Sequence, residues 1–247
     1  MVEALARSRL SAVQFLRLTD AFGSVGTMEI SRLLEPFKGT KDDRVGRQLV
    51  AALRTAPAAA SLRVEQVRPI VSQFGPQVQK QAEPLYTALT PTTAEQAARL
   101  EELLSHVSSG DPQRGQRILS DKKFACASCH RMVFDGGDIG PALTRIGQTR
   151  NERDLLESIV IPSATIVQRY EPWTGVTTDG RTLSGVIQRE TPDAIVLTAA
   201  ADKSFRIDRS DIENMAPSPV SIMPQGLDRQ LTPQQLADLV AFLKSCR

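Results

Sequence analysis

The five residues Cys126-Ala127-Ser128-Cys129-His130 constrain this chain more than any other stretch. C-x-x-C-H is the attachment signature of a c-type haem. Two thiols three positions apart can each add across one vinyl group of the same porphyrin. The histidine that follows can then place an imidazole nitrogen on the iron. A chain of this kind folds around an apolar group it does not itself encode. Aromatic residues make up only 4% of the sequence, so a haem would supply apolar core that side chains do not.

Two other chemistries of paired cysteines fit less well. A structural zinc site needs four ligands, usually from two paired clusters. Outside the motif the only further His and Cys are His106 and Cys246, neither with a close partner of its kind. A thioredoxin-like dithiol opens a helix that follows a strand in a βαβ unit. The segment ahead of Cys126 has helical spacing instead.

Haem iron takes a second axial ligand or keeps an open position. The five methionines are Met1, Met28, Met132, Met215 and Met223. Met132 is too close to His130 to reach the opposite haem face easily, and Met28 lies in a separate helical region. Met215, next to Ile212, reads as core packing. Met223 is followed by Pro224 and Gly226 in a loop that leads into a helix, a setting that suits an axial thioether. The expected metal ligands are therefore His130 and Met223. His/Met ligation raises the reduction potential and leaves the iron six-coordinate, a site that exchanges electrons and does not readily bind substrate. His106 reads as a surface or joint histidine, with an alternate iron ligand as the competing reading.

The surrounding pattern is helical. Asp111 and Pro112 open one helix, which runs through Gly115, Ile118 and Leu119. Gly115 offers a place for another helix to approach closely, with Phe242 as filler. Asn151 opens a second, with Leu155, Leu156, Ile159 and Val160 on one face and Pro162 as its stop. Thr232, Pro233 and Gln235 open a terminal helix with Leu236, Leu239, Val240 and Leu243 on its apolar face.

With these elements the chain resembles class I cytochromes c. The residues that carry the resemblance are Gly110-Asp111-Pro112 and Arg114-Gly115 ahead of the motif, Gly140-Pro141-Ala142-Leu143 after it, and the Met223 loop before the last helix. The resemblance implies that the carbonyl of Pro141 accepts a hydrogen bond from the proximal His130, fixing its ring and raising its basicity. It also places Leu143 at the cofactor. The runs Gly137 to Gly147, Leu155 to Ser163 and Met223 to Leu227 are similar to a narrower family, the planctomycete/verrucomicrobial-type haem-binding domain. The similarity covers about residues 108–247. It implies a domain at the C-terminal end of a large secreted protein, often behind a sugar-dehydrogenase-like propeller and helical repeats. Arg169 stands where that family leads one to expect glycine, which puts a local turn in question.

Between Pro162 and Met223 the pattern changes to period two. Asp179-Gly180 and Thr191-Pro192-Asp193 mark turns. Four or five short strands are expected, forming a small, partly open β-barrel inserted at about 170–212. It reads either as a lid over a haem edge or as a docking surface for a redox partner.

Residues 1–108 carry no chemical motif. Apolar spacing predicts helices near 10–22, 26–36, 41–55, 63–74, 77–89 and 93–107. Phe37, Leu49, Leu53 and Pro57 recur as Phe74, Leu85, Leu89 and Pro91, a faint period that points to HEAT-like helix pairs. Thr92 and Glu95 form a capping box for the last helix, and Ser108-Ser109-Gly110 is the expected domain joint.

The expected fold is thus mainly α: HEAT-like repeats over 1–108, then a class I cytochrome c-like helical domain over 109–247 with the β insert. Net charge is only +2 with signs interspersed, which gives no reason to expect nucleic acid or an anionic membrane as partner. No apolar run reaches membrane-spanning length. Met1 to Leu10 lack the apolar core of a signal peptide. Covalent haem attachment takes place outside the bacterial cytoplasm, so the expectation is an excised domain or mature portion of an exported, periplasmic protein. Cys246 is an odd thiol.

The expected function is one-electron transfer by one covalent haem c, with a dehydrogenase domain or redox protein as partner. It is not expected to be an enzyme on its own. Two alternatives remain open: a ligand-binding or peroxidatic haem protein whose distal Met223 is displaced, and a structural interaction module.

Overall fold

A computed structural model of the chain describes residues 10–201 and 203–247. Met1 and the start of the chain, where a signal peptide would be sought, lie outside the described residues. The chain packs as two units. One comprises the residues up to Glu102 together with Gln225–Thr232; the other comprises Leu103–Pro224 and Pro233–Arg247.

The first unit contains helices α1 (Ala12–Asp20), α2 (Thr27–Leu34), α3 (Asp43–Thr55), α4 (Val64–Val71), α5 (Pro76–Leu89) and most of α6 (Thr93–Leu104). These match the six expected segments. Their ends differ because short 3-10 turns, such as Ala21–Gly23 and Glu35–Gly39, take up the flanking residues. Capping starts them as the sequence implies: Thr92 and Glu95 exchange backbone and side-chain bonds at the head of α6. Helix α3 is the centre. It buries Val45, Leu49, Val50 and Leu53 and packs against α1 and α5. Phe37, Leu49, Leu53, Phe74, Leu85 and Leu89 all enter one core.

The second unit contains α7 (Pro112–Ser120), α8 (Cys126–Cys129), α9 (Ile146–Thr149), α10 (Glu152–Val160) and α11 (Pro233–Ser245). A small hairpin pairs β1 (Arg131–Met132) with β2 (Asp135–Gly136). Helices α7 and α11 meet at Gly115, where a Cβ would collide with the Asp238 carbonyl and lie 2.7 Å from the Cβ of Phe242. Beside this crossing the buried Asp238 carboxylate accepts from the Asp111 N–H at 2.8 Å, from Arg114 Nε and Nη2 at 2.7 Å each, and from Gln234 Nε2 at 2.9 Å. A buried carboxylate is tolerated because its lone pairs are satisfied this fully.

The expectation of a mainly α chain is overturned. The structure is 54% helical with 16% strand, an α+β mixture. Strands β3 (Pro172–Thr177), β4 (Thr182–Glu190), β5 (Ala194–Ala200), β6 (Lys203–Asp208) and β7 (Ile212–Pro217) form one antiparallel sheet in the order β6-β5-β4-β3-β7. Strands β6 and β7 are its edges and do not pair with each other, so the sheet is open on that side. It has its own apolar cluster of Ile195, Leu197 and Ile207, with Trp173, Leu183, Ile187, Phe205, Ile212 and Met215 packed against them. That independent core is why it counts as a layer and not as a decoration on helices.

Candidate functional site

Two glimpses of strained backbone bracket the cysteine motif. Ala125, just before it, and Val133, just after, have φ of 57° and 56°. Left-handed backbone is unfavourable for alanine and more so for β-branched valine, and such residues cluster at functional sites. Ala125 ends the run from α7 and starts the single turn α8, which places Cys126 and Cys129 at its two ends. Neither thiol is in a disulfide. The His130 N–H donates to the Cys126 carbonyl at 3.0 Å and closes the turn.

The chain then wraps back over this turn. Gly137 N–H donates to the Ala127 carbonyl at 2.9 Å, Gly140 N–H to Cys129 at 2.9 Å and Leu143 N–H to Arg131 at 2.8 Å. Val133 N–H donates to Thr144 Oγ1 at 2.7 Å. Segment 137–143 is therefore laced to the motif by main chain, which accounts for its glycines. At its centre the His130 Nδ1 lies 2.7 Å from the Pro141 carbonyl oxygen. A carbonyl only accepts, so Nδ1 carries the proton and Nε2 holds the free lone pair. Gly140 presses on the ring's face: a Cβ there would lie 2.7 Å from Cε1 and 2.9 Å from Nδ1.

Burial pulls the His130 imidazole below the usual histidine range, against the opposing pull of the Pro141 bond. The ring is neutral at pH 7, the form that binds metal. Burial likewise pushes the Cys126 thiol up to about 11 and raises Cys129. That is the reverse of a reactive redox dithiol, whose thiolate is stabilised. Among the described residues no three His, Cys, Asp or Glu side chains gather into a group that could hold a metal ion. The zinc and thioredoxin-like alternatives gain nothing from the geometry. The residues do fit a haem: two unpaired thiols one turn apart, and a neutral imidazole with its outer nitrogen free and its ring fixed on one face.

Cys126, Cys129, His130, Pro141 and half-buried Leu143 are thus brought together. Met223 belongs to the same unit but sits on the separate stretch after β7. Its N–H donates to Ser221 Oγ at 3.1 Å, and the Ser221 N–H donates to Ser163 Oγ at 3.1 Å, just past α10. Met215 pairs across the sheet with Gly175 and packs on the sheet's core. His106 is exposed, with its Nδ1 3.0 Å from Ser105 Oγ. Arg169 lies in a 3-10 turn without positive φ, so that turn does not require glycine.

Sequence reasoning misses one element of the site. A register shift in β4 between Ile187 and Arg189 frees Gln188 from the ladder, and its Nε2 donates to the Asp138 carbonyl at 2.9 Å. Bulges re-aim side chains in this way. The sheet is thereby joined to the segment that orients His130. Nothing in the period-two pattern marks which residue will bulge.

No protein-family model matches the chain, and no curated protein matches it. Among the described residues no helix is long and apolar enough to cross a membrane.

Proposed function

We propose that the chain is a one-electron carrier that binds one haem c, tethered by Cys126 and Cys129, with His130 as proximal and Met223 as distal ligand. The observation that carries this reading is the 2.7 Å bond from His130 Nδ1 to the Pro141 carbonyl, beside two unpaired thiols one helical turn apart. When bound, the haem supplies a ferric/ferrous couple.

The chain's own residues supply the rest. His130 keeps its proton on Nδ1, and the Pro141 carbonyl makes Nε2 a better donor. Gly140 and the main-chain lacing stop the ring from turning. Ile139, next to Gly140 in the chain, is buried, and Leu143 is half-buried. The soft thioether of Met223 favours the ferrous state and raises the potential. The resemblance to class I cytochromes c accords with these roles. Attachment outside the bacterial cytoplasm and a dehydrogenase or redox protein as electron partner belong to the same reading.

The test is attachment. Protein exported together with cytochrome c maturation factors is expected to keep its haem through denaturation and acid–acetone extraction. Cys126→Ala/Cys129→Ala protein is expected to lose it. Extractable haem in the matured protein would overturn the reading. Ferrous protein that binds CO rapidly would instead favour the ligand-binding alternative.

A further inference from the structure

Gln188 reaches from the sheet to the segment that covers the cysteine motif, and both belong to the second unit. In β4, Val186 is buried and Ile187 packs on the sheet's apolar cluster. Ile187 and Arg189 pair with the consecutive residues Leu197 and Val196, so Gln188 is the extra residue of the bulge. A bulged residue leaves the alternation that its neighbours keep. The Gln188 Nε2 donates to the Asp138 carbonyl at 2.9 Å. A carbonyl only accepts, so the amide nitrogen and not the amide oxygen faces it.

Asp138 stands in the segment that fixes the imidazole. On either side of it, the Gly137 and Gly140 N–H groups donate to the Ala127 and Cys129 carbonyls. The chain then reaches Pro141, whose carbonyl lies 2.7 Å from His130 Nδ1. These lacing bonds run between the segment and the motif, so they leave the two free to shift together. The bond from Gln188 ties the segment instead to a strand with its own core. Gly136, Gly137 and Gly140 give this stretch more backbone freedom than other residues would, and a tie at Asp138 narrows it. The pair between Arg131 Nη2 and Asp138 Oδ1, 3.8 Å apart, is half-exposed on both sides and adds little.

We propose that Gln188 is a positioning residue for His130: by holding the Asp138 carbonyl, it keeps the Pro141 carbonyl on Nδ1 and the imidazole a strong donor. The inference rests on the reading of His130 as proximal ligand. A more basic imidazole favours ferric iron and lowers the potential. The inserted sheet thereby has a task, that of setting the potential of the haem through one side chain.

The test uses matured full-length holoprotein with isotope-labelled histidine in four forms: wild type, Gln188→Ala, Gln188→Leu and Ser184→Ala. His130 and His106 are the two histidines of the chain, so the ring signals in an NMR spectrum are few. Solvent exchange of the His130 Nδ1 proton is measured in the ferrous state, and the potential is measured by titration. Gln188→Leu keeps bulk without a donor. Ser184, whose Oγ accepts from Thr174 Oγ1 at 3.1 Å on the same strand, is the control for general loosening of the sheet. Both Gln188 variants are expected to exchange about threefold faster, because exchange follows the opening of the bond and one exposed neutral hydrogen bond is worth little. The ferrous-to-ferric ratio at a fixed ambient potential is expected to rise about twofold in both. Ser184→Ala is expected to leave exchange and potential as in wild type. Unchanged exchange and potential in folded Gln188→Ala and Gln188→Leu overturn the positioning role and leave His130 ligation standing. Faster exchange without a change in potential overturns it too, as does an equal rise in Ser184→Ala. Wild type whose His130 ring nitrogen shows no bond to iron overturns the ligand reading, and the positioning role with it.

Discussion

Gly140 lies flat against the imidazole of His130, so close that a Cβ on it would stand 2.7 Å from Cε1. The ring has the Pro141 carbonyl on its edge and the Gly140 backbone on its face. Neither can yield without disturbing the main-chain bonds from Gly140 and Leu143 to the motif. Gly140→Ala is therefore expected to rotate the ring and break the Nδ1 bond. The expected cost is about 1–3 kcal/mol of stability, as in other overpacked sites. Haem-to-protein ratio and thermal melting of matured protein check it. A variant with wild-type melting and a full haem complement would show that the contact is slack.

The helix crossing sets a second expectation. A Cβ on Gly115 would run into the backbone carbonyl of Asp238, which cannot swing aside as a side chain could. Gly115→Ala is expected to part α7 from α11 and cost about 3 kcal/mol. Gly23, which meets nothing within 4 Å, provides the control. Gly23→Ala is expected to stay within about 0.5 kcal/mol of wild type. Equal melting of the two variants would refute the close approach.

These two glycines show what the sequence discloses. Gly115 can be picked out because it falls on the buried stripe of a capped helix, opposite a terminal helix with its own apolar face. The Cys126, Cys129 and His130 motif is legible because its spacing is set by covalent chemistry and not by tertiary context. The six N-terminal helices are legible from apolar period. What the sequence conceals is how elements combine. Period-two strands do not disclose their order: that β7 pairs with β3, leaving β6 and β7 as the edges, depends on tertiary context. The faint apolar period in Phe37 and Phe74 does not by itself say that both enter one core, which the structure shows. The placing of Gln225–Thr232 with the first unit is carried by two apolar residues, Leu227 and Leu231, and by a buried Asp228 whose partner Arg99 is distant in sequence.

Asp238 gives a pH dependence. The Arg114 guanidinium, with help from the Asp111 N–H and Gln234, lowers its carboxyl to about 2, against desolvation. A carboxyl depressed in the folded state binds fewer protons than in the unfolded chain between the two pKa values. Its stabilisation is thus complete above about pH 4 and is lost as pH falls through about 2. Because Arg114 is half-exposed, the contribution is discounted to roughly 1–2 kcal/mol. Asp238→Asn is expected to lose that amount at pH 7 and to converge on wild type near pH 2. Urea melts at pH 7, 4 and 2.5 measure the gap. A gap independent of pH would remove the ion pair as its cause.

The two methionines of the last loop and strand separate packing from ligation. Met215 packs on the apolar cluster of the sheet, opposite Gly175. Met215→Ala is expected to cost about 1–2 kcal/mol through lost packing at a half-buried site, while the red-end thioether band and the potential stay as in wild type. Met223 is half-buried on a loop pinned at Ser221 and contributes to no strand. Met223→Ala is expected to change stability little. It should abolish the band, lower the potential because a soft donor to ferrous iron is gone, and let CO bind. Potentiometry and melting on the same two samples give opposite orders of effect under this assignment. The reverse pattern, with the band lost in Met215→Ala and kept in Met223→Ala, would move the ligand into the sheet.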